Sequence, residues 1–130
     1  MVSIAPRKVY AIDTGIINTV STSFTEDQGR KFENLIYLHL RRRFTEIYYF
    51  SEKGECDFLI FKRSVFQQAI QVCYVLNQDN LKRELQGILE ALEFFGAERG
   101  LLITLNQSDR FEKNGKIVEV IPAHLFCSEE

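Results

Sequence analysis

The stretch GECDFLIFKRSVFQQAIQVCYVL, residues 54–76, constrains the fold more than any other part of the chain. It reads as two apolar strands joined by a turn. If the turn centres on Ser64, residues whose numbers sum to 128 face each other, so Asp57 meets Gln71 and Glu55 meets Cys73. Side chains alternate between the two faces of a strand. Phe58, Ile60, Ile70, Val72 and Tyr74 then share one face and must be buried. Glu55, Asp57, Gln71 and Cys73 share the other. A slip of one residue would send the apolar set to the wrong side. Two carboxylates and an amide at one place offer the oxygen ligands that suit Mg²⁺ or Mn²⁺. A strand start and a half-buried glutamine would carry the same residues, and spacing alone favours that plainer role.

The rest of the sequence supplies the frame. RKVYAID is a short alternating strand, and DTGI turns the chain out of it. Thr25 and Gln28 have the spacing of a capping box. They predict a helix over 27–42 with Phe32, Leu35, Ile36 and Leu40 on its apolar face. Arg41, Arg42 and Arg43 close that helix, where cations suit the dipole. EIYYF, residues 46–50, is a strand. A second helix follows the hairpin, with Asn77 or Asp79 as its cap and Gly96 as its end. Leu81, Leu85, Ile88, Leu92 and Phe95 recur along it at helical spacing. GLLITL is a buried strand, and Asn-Gly in FEKNGKIVEVI marks a hairpin. Pro122 ends the last strand, and a short helix finishes the chain. The order β-α-β-β-β-α-β-β predicts an α/β (α+β) domain, a central mixed sheet flanked by helices.

Composition narrows the classes. A chain of 130 residues is one domain's worth, 1–130, and 45% hydrophobic with 26% charged residues argues for a packed core. A net charge of -2 demands neither nucleic acid nor membrane, although a local basic patch is compatible with it. The three cysteines, Cys56, Cys73 and Cys127, form no CxxC pair, which argues against a disulfide framework or a structural zinc site. Reduced thiols in a cytoplasmic protein are the simple reading. No signal peptide or membrane-length apolar run is expected. No GxxxxGK[ST] loop occurs, so the chain has no ATP site of that kind.

The pieces KVYAIDTGI, GRKFENLIYLHL, EIYYFSEKGECDFLI, AIQVCY, LKRELQGILEAL and LLITL…GKIVEVIP, in that order, give a more specific reading. The arrangement resembles the PD-(D/E)XK, or restriction-endonuclease-like, superfamily. Nearly the whole chain resembles the C-terminal domain, of unknown function, in a bacterial and archaeal AAA+ ATPase family. The resemblance implies a carved-out C-terminal piece of a longer ATPase, with the ATPase module of the same polypeptide as its partner and DNA or RNA as a ligand. It also implies a site. Glu33 matches a helix carboxylate, Asp57 a strand aspartate, Gln71 the second acidic position and Cys73 the position of a lysine. Glu33, Asp57 and Gln71 would be the metal ligands, with Glu55 and Arg83 lining the site.

Such sites hydrolyse phosphodiesters with metal-bound water. Gln71 keeps an oxygen but no charge. The Cys73 thiol, with an ordinary pKa of about 8.5, cannot replace an ammonium group. Losing one such group typically costs about 10²–10⁴ in rate. The expectation is a nuclease-like accessory domain with weak Mg²⁺ or Mn²⁺ affinity and degraded catalysis. The alternative is an interaction or regulatory module that kept the fold. Simpler roles suffice elsewhere: His39 as a packed helix residue, Asp13 as a turn or helix cap, His124 without a visible partner, and the three arginines as a solvated helix end. Lys82 and Arg83 open the second helix, where the dipole disfavours cations.

Overall fold

In a computed structural model, residues 9–12 and 24–128 are described, with side chains from residue 27 onward in the second segment. Asp13 and the DTGI turn lie outside them. The chain runs β1 (Val9–Ala11), α1 (Phe24–Arg43), β2 (Glu46–Ser51), β3 (Glu55–Lys62), β4 (Val65–Val72), α2 (Leu81–Phe95), β5 (Arg99–Thr104), β6 (Asp109–Lys113), β7 (Lys116–Pro122) and α3 (Ala123–Ser128). Seven strands form one mixed sheet in the order β1-β2-β3-β4-β5-β7-β6. β1 to β4 are antiparallel neighbours, β4, β5 and β7 run parallel, and β6 returns antiparallel on β7. The expected α/β architecture is present.

The sheet separates two apolar layers. On one face Phe32, Ile36, Tyr37 and Leu40 of α1 and Phe126 of α3 pack on Phe58, Ile60, Ile70, Val72 and Ile103. On the other, Ile88, Ala91 and Leu92 of α2 pack on Leu59, Phe61, Ala69, Leu102, Val118 and Val120. Each large side chain sealed this way contributes about 1.5–3 kcal/mol relative to exposure. The face assignment of Phe58, Ile60, Ile70, Val72 and Tyr74 therefore holds. His39 is a packing residue as expected, its ring edge-on to Phe126 at 5.4 Å.

Local signals explain most boundaries. α1 starts at Phe24, so Thr25 lies inside the helix rather than capping it. Arg41 donates to the Thr45 carbonyl at 3.0 Å, closing the helix end. α2 is entered from Asn80, whose side chain makes no cap bond, instead of from Asn77 or Asp79. Asn77 Oδ1 accepts from the N–H groups of Asp79 and Asn80, building a turn before the helix. Gly96 ends α2 in the left-handed conformation, as expected.

The β3–β4 turn is a two-residue one. Arg63 and Ser64 both have positive φ, 52° and 67°. That is costly for residues with a Cβ, and both N–H groups are held by the Glu46 carboxylate at 2.8 and 2.9 Å. Lys62 pairs with Val65 and Phe61 with Phe66, a register half a residue off a turn centred on Ser64. An extra residue, Gln67, then restores the expected register at Ile60–Gln68, Leu59–Ala69 and Phe58–Ile70.

Candidate functional site

The β3–β4 ladder ends at Phe58–Ile70, and the next positions are joined through side chains. The Asp57 N–H donates to Gln71 Oε1 at 2.9 Å, and the Val72 N–H donates to Asp57 Oδ2 at 2.9 Å. On the other edge of β3, Tyr48 pairs with Leu59 but Phe50 with Cys56. Asp57 and Phe58 thus stand opposite the single residue Tyr49, a β-bulge. Bulges break alternation and re-aim side chains. Cys56 consequently packs in the same layer as Leu59, on the α2 side.

This overturns the expectation that Glu55, Asp57, Gln71 and Cys73 share one face. Gln71 and Cys73 turn toward α2, whereas Asp57 is released at the sheet end near Glu33 of α1. Gln71 is 2% exposed and acts as a strut. Its Nε2 donates to the Glu55 carbonyl at 2.7 Å and to the Glu84 carbonyl at 3.1 Å. With Oε1 aimed at the Asp57 N–H, the oxygen expected to serve as a metal ligand is bound to backbone. Gly87 makes the arrangement possible: a Cβ there would lie 1.9 Å from the Glu55 carbonyl oxygen.

Cys73 lies past the end of β4, under the start of α2. Its thiol donates to the Val75 carbonyl at 3.3 Å and accepts from Asn80 Nδ2 at 3.6 Å. Burial and the Glu84 charge push its pKa up to about 11, so it is a neutral thiol at neutral pH. It does not line the cleft that holds the other candidates.

That cleft, about 360 Å³, is lined by Glu33, Lys53, Gly54, Glu55, Asp57, Gln71, Arg83 and Glu84. Glu33, Asp57, Gln71, Glu55 and Arg83 were expected there. Glu84 and Lys53 were not. Glu84 sits one turn before the buried stripe Gly87, Ile88, Ala91 of α2, and a carboxylate on such a stripe was the legible signal. Lys53 lies in the β2–β3 turn, where periodicity carries no information.

Burial raises the pKa of three carboxylates of the cleft. Burial is the main cause of the raised pKa of Asp57, with the Glu33 charge next and the Val72 N–H working against it. Burial, then Glu84 and Glu55, raises Glu33, and Arg30 offsets part of this. Burial raises Glu84 as well, with Arg83 opposing. Among the described residues, no group of three or more His, Cys, Asp or Glu side chains is placed to hold a metal ion. With Gln71 committed to backbone, the residues present do not form the expected three-ligand set.

A larger groove of about 590 Å³ beside α2 is lined by Leu85, Leu89 and Phe94 together with lysines and glutamates, among them Lys82, Lys116 and Glu93. No helix among the described residues is long and apolar enough to cross a membrane.

No family model matches the chain. A relative, the Uncharacterized protein MJ1544 of Methanocaldococcus jannaschii, is 37% identical over 131 residues. The alignment covers 92% of this chain but 29% of the relative, so the chain spans less than a third of that protein's length.

Proposed function

We propose that this is a nuclease-like accessory domain of a longer, cytoplasmic polypeptide, binding DNA or RNA at the Glu33–Asp57 cleft with little or no hydrolysis. One observation carries the reading: a helix carboxylate and a bulge-borne strand aspartate meet at the opened end of a sheet, while position 73 holds a buried neutral thiol. The restriction-endonuclease-like fold and a preceding AAA+ ATPase module belong to the same proposal. The mixed sheet with helices on both faces supports the first, and the much longer relative supports a multi-part protein. The three free cysteines accord with a reducing compartment.

Mg²⁺ or Mn²⁺ would bind weakly in this reading. The Gln71 oxygen carries no charge and already accepts the Asp57 N–H, and Mg²⁺ sheds its waters reluctantly. The apolar groove beside α2 favours a second reading, a protein-interaction module that kept the fold and lost nucleic acid. Oligonucleotide binding and cleavage, with Mg²⁺, Mn²⁺ or EDTA, separate the two. Binding without cleavage, altered by Asp57→Asn, supports the first. Absence of binding by a folded wild type supports the second. Efficient wild-type cleavage lost in Asp57→Asn would refute the degraded site.

A further inference from the structure

Two cations, Lys53 and Arg83, line the cleft. Arg83 leans on Glu84, 3.4 Å from its carboxylate. Lys53 is exposed and makes no ion pair or hydrogen bond among the described residues, although several carboxylates line the same cleft. Its backbone is nevertheless anchored. The Glu52 N–H donates to the Gly54 carbonyl at 2.9 Å, closing the turn. The Gly54 N–H donates to Glu90 Oε1 at 2.8 Å, and Gln86 Nε2 holds the other oxygen of that carboxylate at 2.9 Å. A Cβ on Gly54 would lie 2.9 Å from the Gly87 Cα, so the turn packs backbone to backbone on α2. A fixed base thus carries a side chain that no protein anion has claimed.

We propose that Lys53, on the β2–β3 turn, is the phosphate-contacting cation of this cleft. The inference rests on the nucleic-acid reading above and assigns the contact to a residue outside β4. The carboxylates around it would repel phosphate if all were ionised. Burial raises the pKa of Glu33, Asp57 and Glu84, which favours their neutral forms and lessens that repulsion.

The test measures anisotropy of fluorescein-labelled single-stranded DNA and RNA oligonucleotides with the whole chain, in Mg²⁺ and in EDTA, over a salt series. Lys53→Met is expected to weaken binding roughly three- to tenfold and to lower the slope of log K against log salt by about 0.7, one phosphate contact on a single strand. Lys53→Arg is expected to keep both. Neither should move the thermal midpoint by more than about 1–2 °C, since the side chain is exposed. A packing role would leave the salt slope unchanged. Wild-type binding that Lys53→Met leaves intact overturns the inference alone, and loss in Arg83→Met would then assign the contact to Arg83. Absence of wild-type binding under every condition overturns the nucleic-acid reading with it.

Discussion

Replacing Gln71 by Glu is the change that would restore an acidic residue if position 71 were a metal-ligand position, and the structure expects it to damage the fold instead. The Gln71 amide donates two hydrogen bonds, to the Glu55 carbonyl at 2.7 Å and the Glu84 carbonyl at 3.1 Å. An ionised glutamate donates none and would set an anion against both oxygens. Its escape is to take up a proton, and holding a carboxyl of ordinary pKa protonated at pH 7 costs about 3.7 kcal/mol. The neutral acid restores one donor of the two, and the bond left unmade adds about 1 kcal/mol. The expected loss is therefore about 4–5 kcal/mol at pH 7, against a typical total stability of about 5–15 kcal/mol. The folded pKa of the new carboxyl is raised, so its penalty is smallest below about pH 4 and grows as pH rises toward the folded value. Urea unfolding of Gln71→Glu and wild type from pH 4.5 to 8 measures this. Gln71→Met is the control, with a loss that does not change with pH. Wild-type stability for Gln71→Glu at pH 7, or a new tight Mg²⁺ site that stabilises it, would refute the strut.

Two glycine substitutions should diverge. Gly87→Ala puts a Cβ 1.9 Å from a backbone oxygen, so α2 must move, and a loss of roughly 2–4 kcal/mol is expected despite a helix-propensity gain of about 1 kcal/mol. Gly29→Ala, inside α1 with nothing within 4 Å of the new Cβ, should gain up to about 1 kcal/mol, and thermal melts of both variants check the pair. Because burial and Glu33 raise the Asp57 pKa, its contribution to stability is fully present below the ordinary carboxylate range and is lost as pH rises through the raised value. Asp57→Asn, which can still accept the Val72 N–H, should flatten that decline; a steeper decline in its pH-dependent unfolding would contradict the sign. Iodoacetamide at pH 8 should label half-exposed Cys127 well before buried Cys73 and Cys56, as peptide mass mapping would read.

The sequence by itself determined what local rules can reach. Period-two alternation put Phe58, Ile60, Ile70 and Val72 on one face, because successive side chains of a strand point to opposite faces. Asn114-Gly115 announced the β6–β7 hairpin because both residues tolerate the positive φ that a two-residue turn needs, 55° and 78° here. Gly96 announced the end of α2 for the same steric reason. Tertiary structure alone decided the site. The bulge at Asp57–Phe58 depends on the register of β2, which no pattern within β3 encodes. The partners of the Gln71 amide belong to the start of β3 and to α2, far along the chain, and a glutamine looks the same in sequence whether its amide meets a metal or three backbone groups. Glu84 and Lys53 enter the cleft because Gly54 and Gly87 let α2 and the β2–β3 turn touch, backbone to backbone.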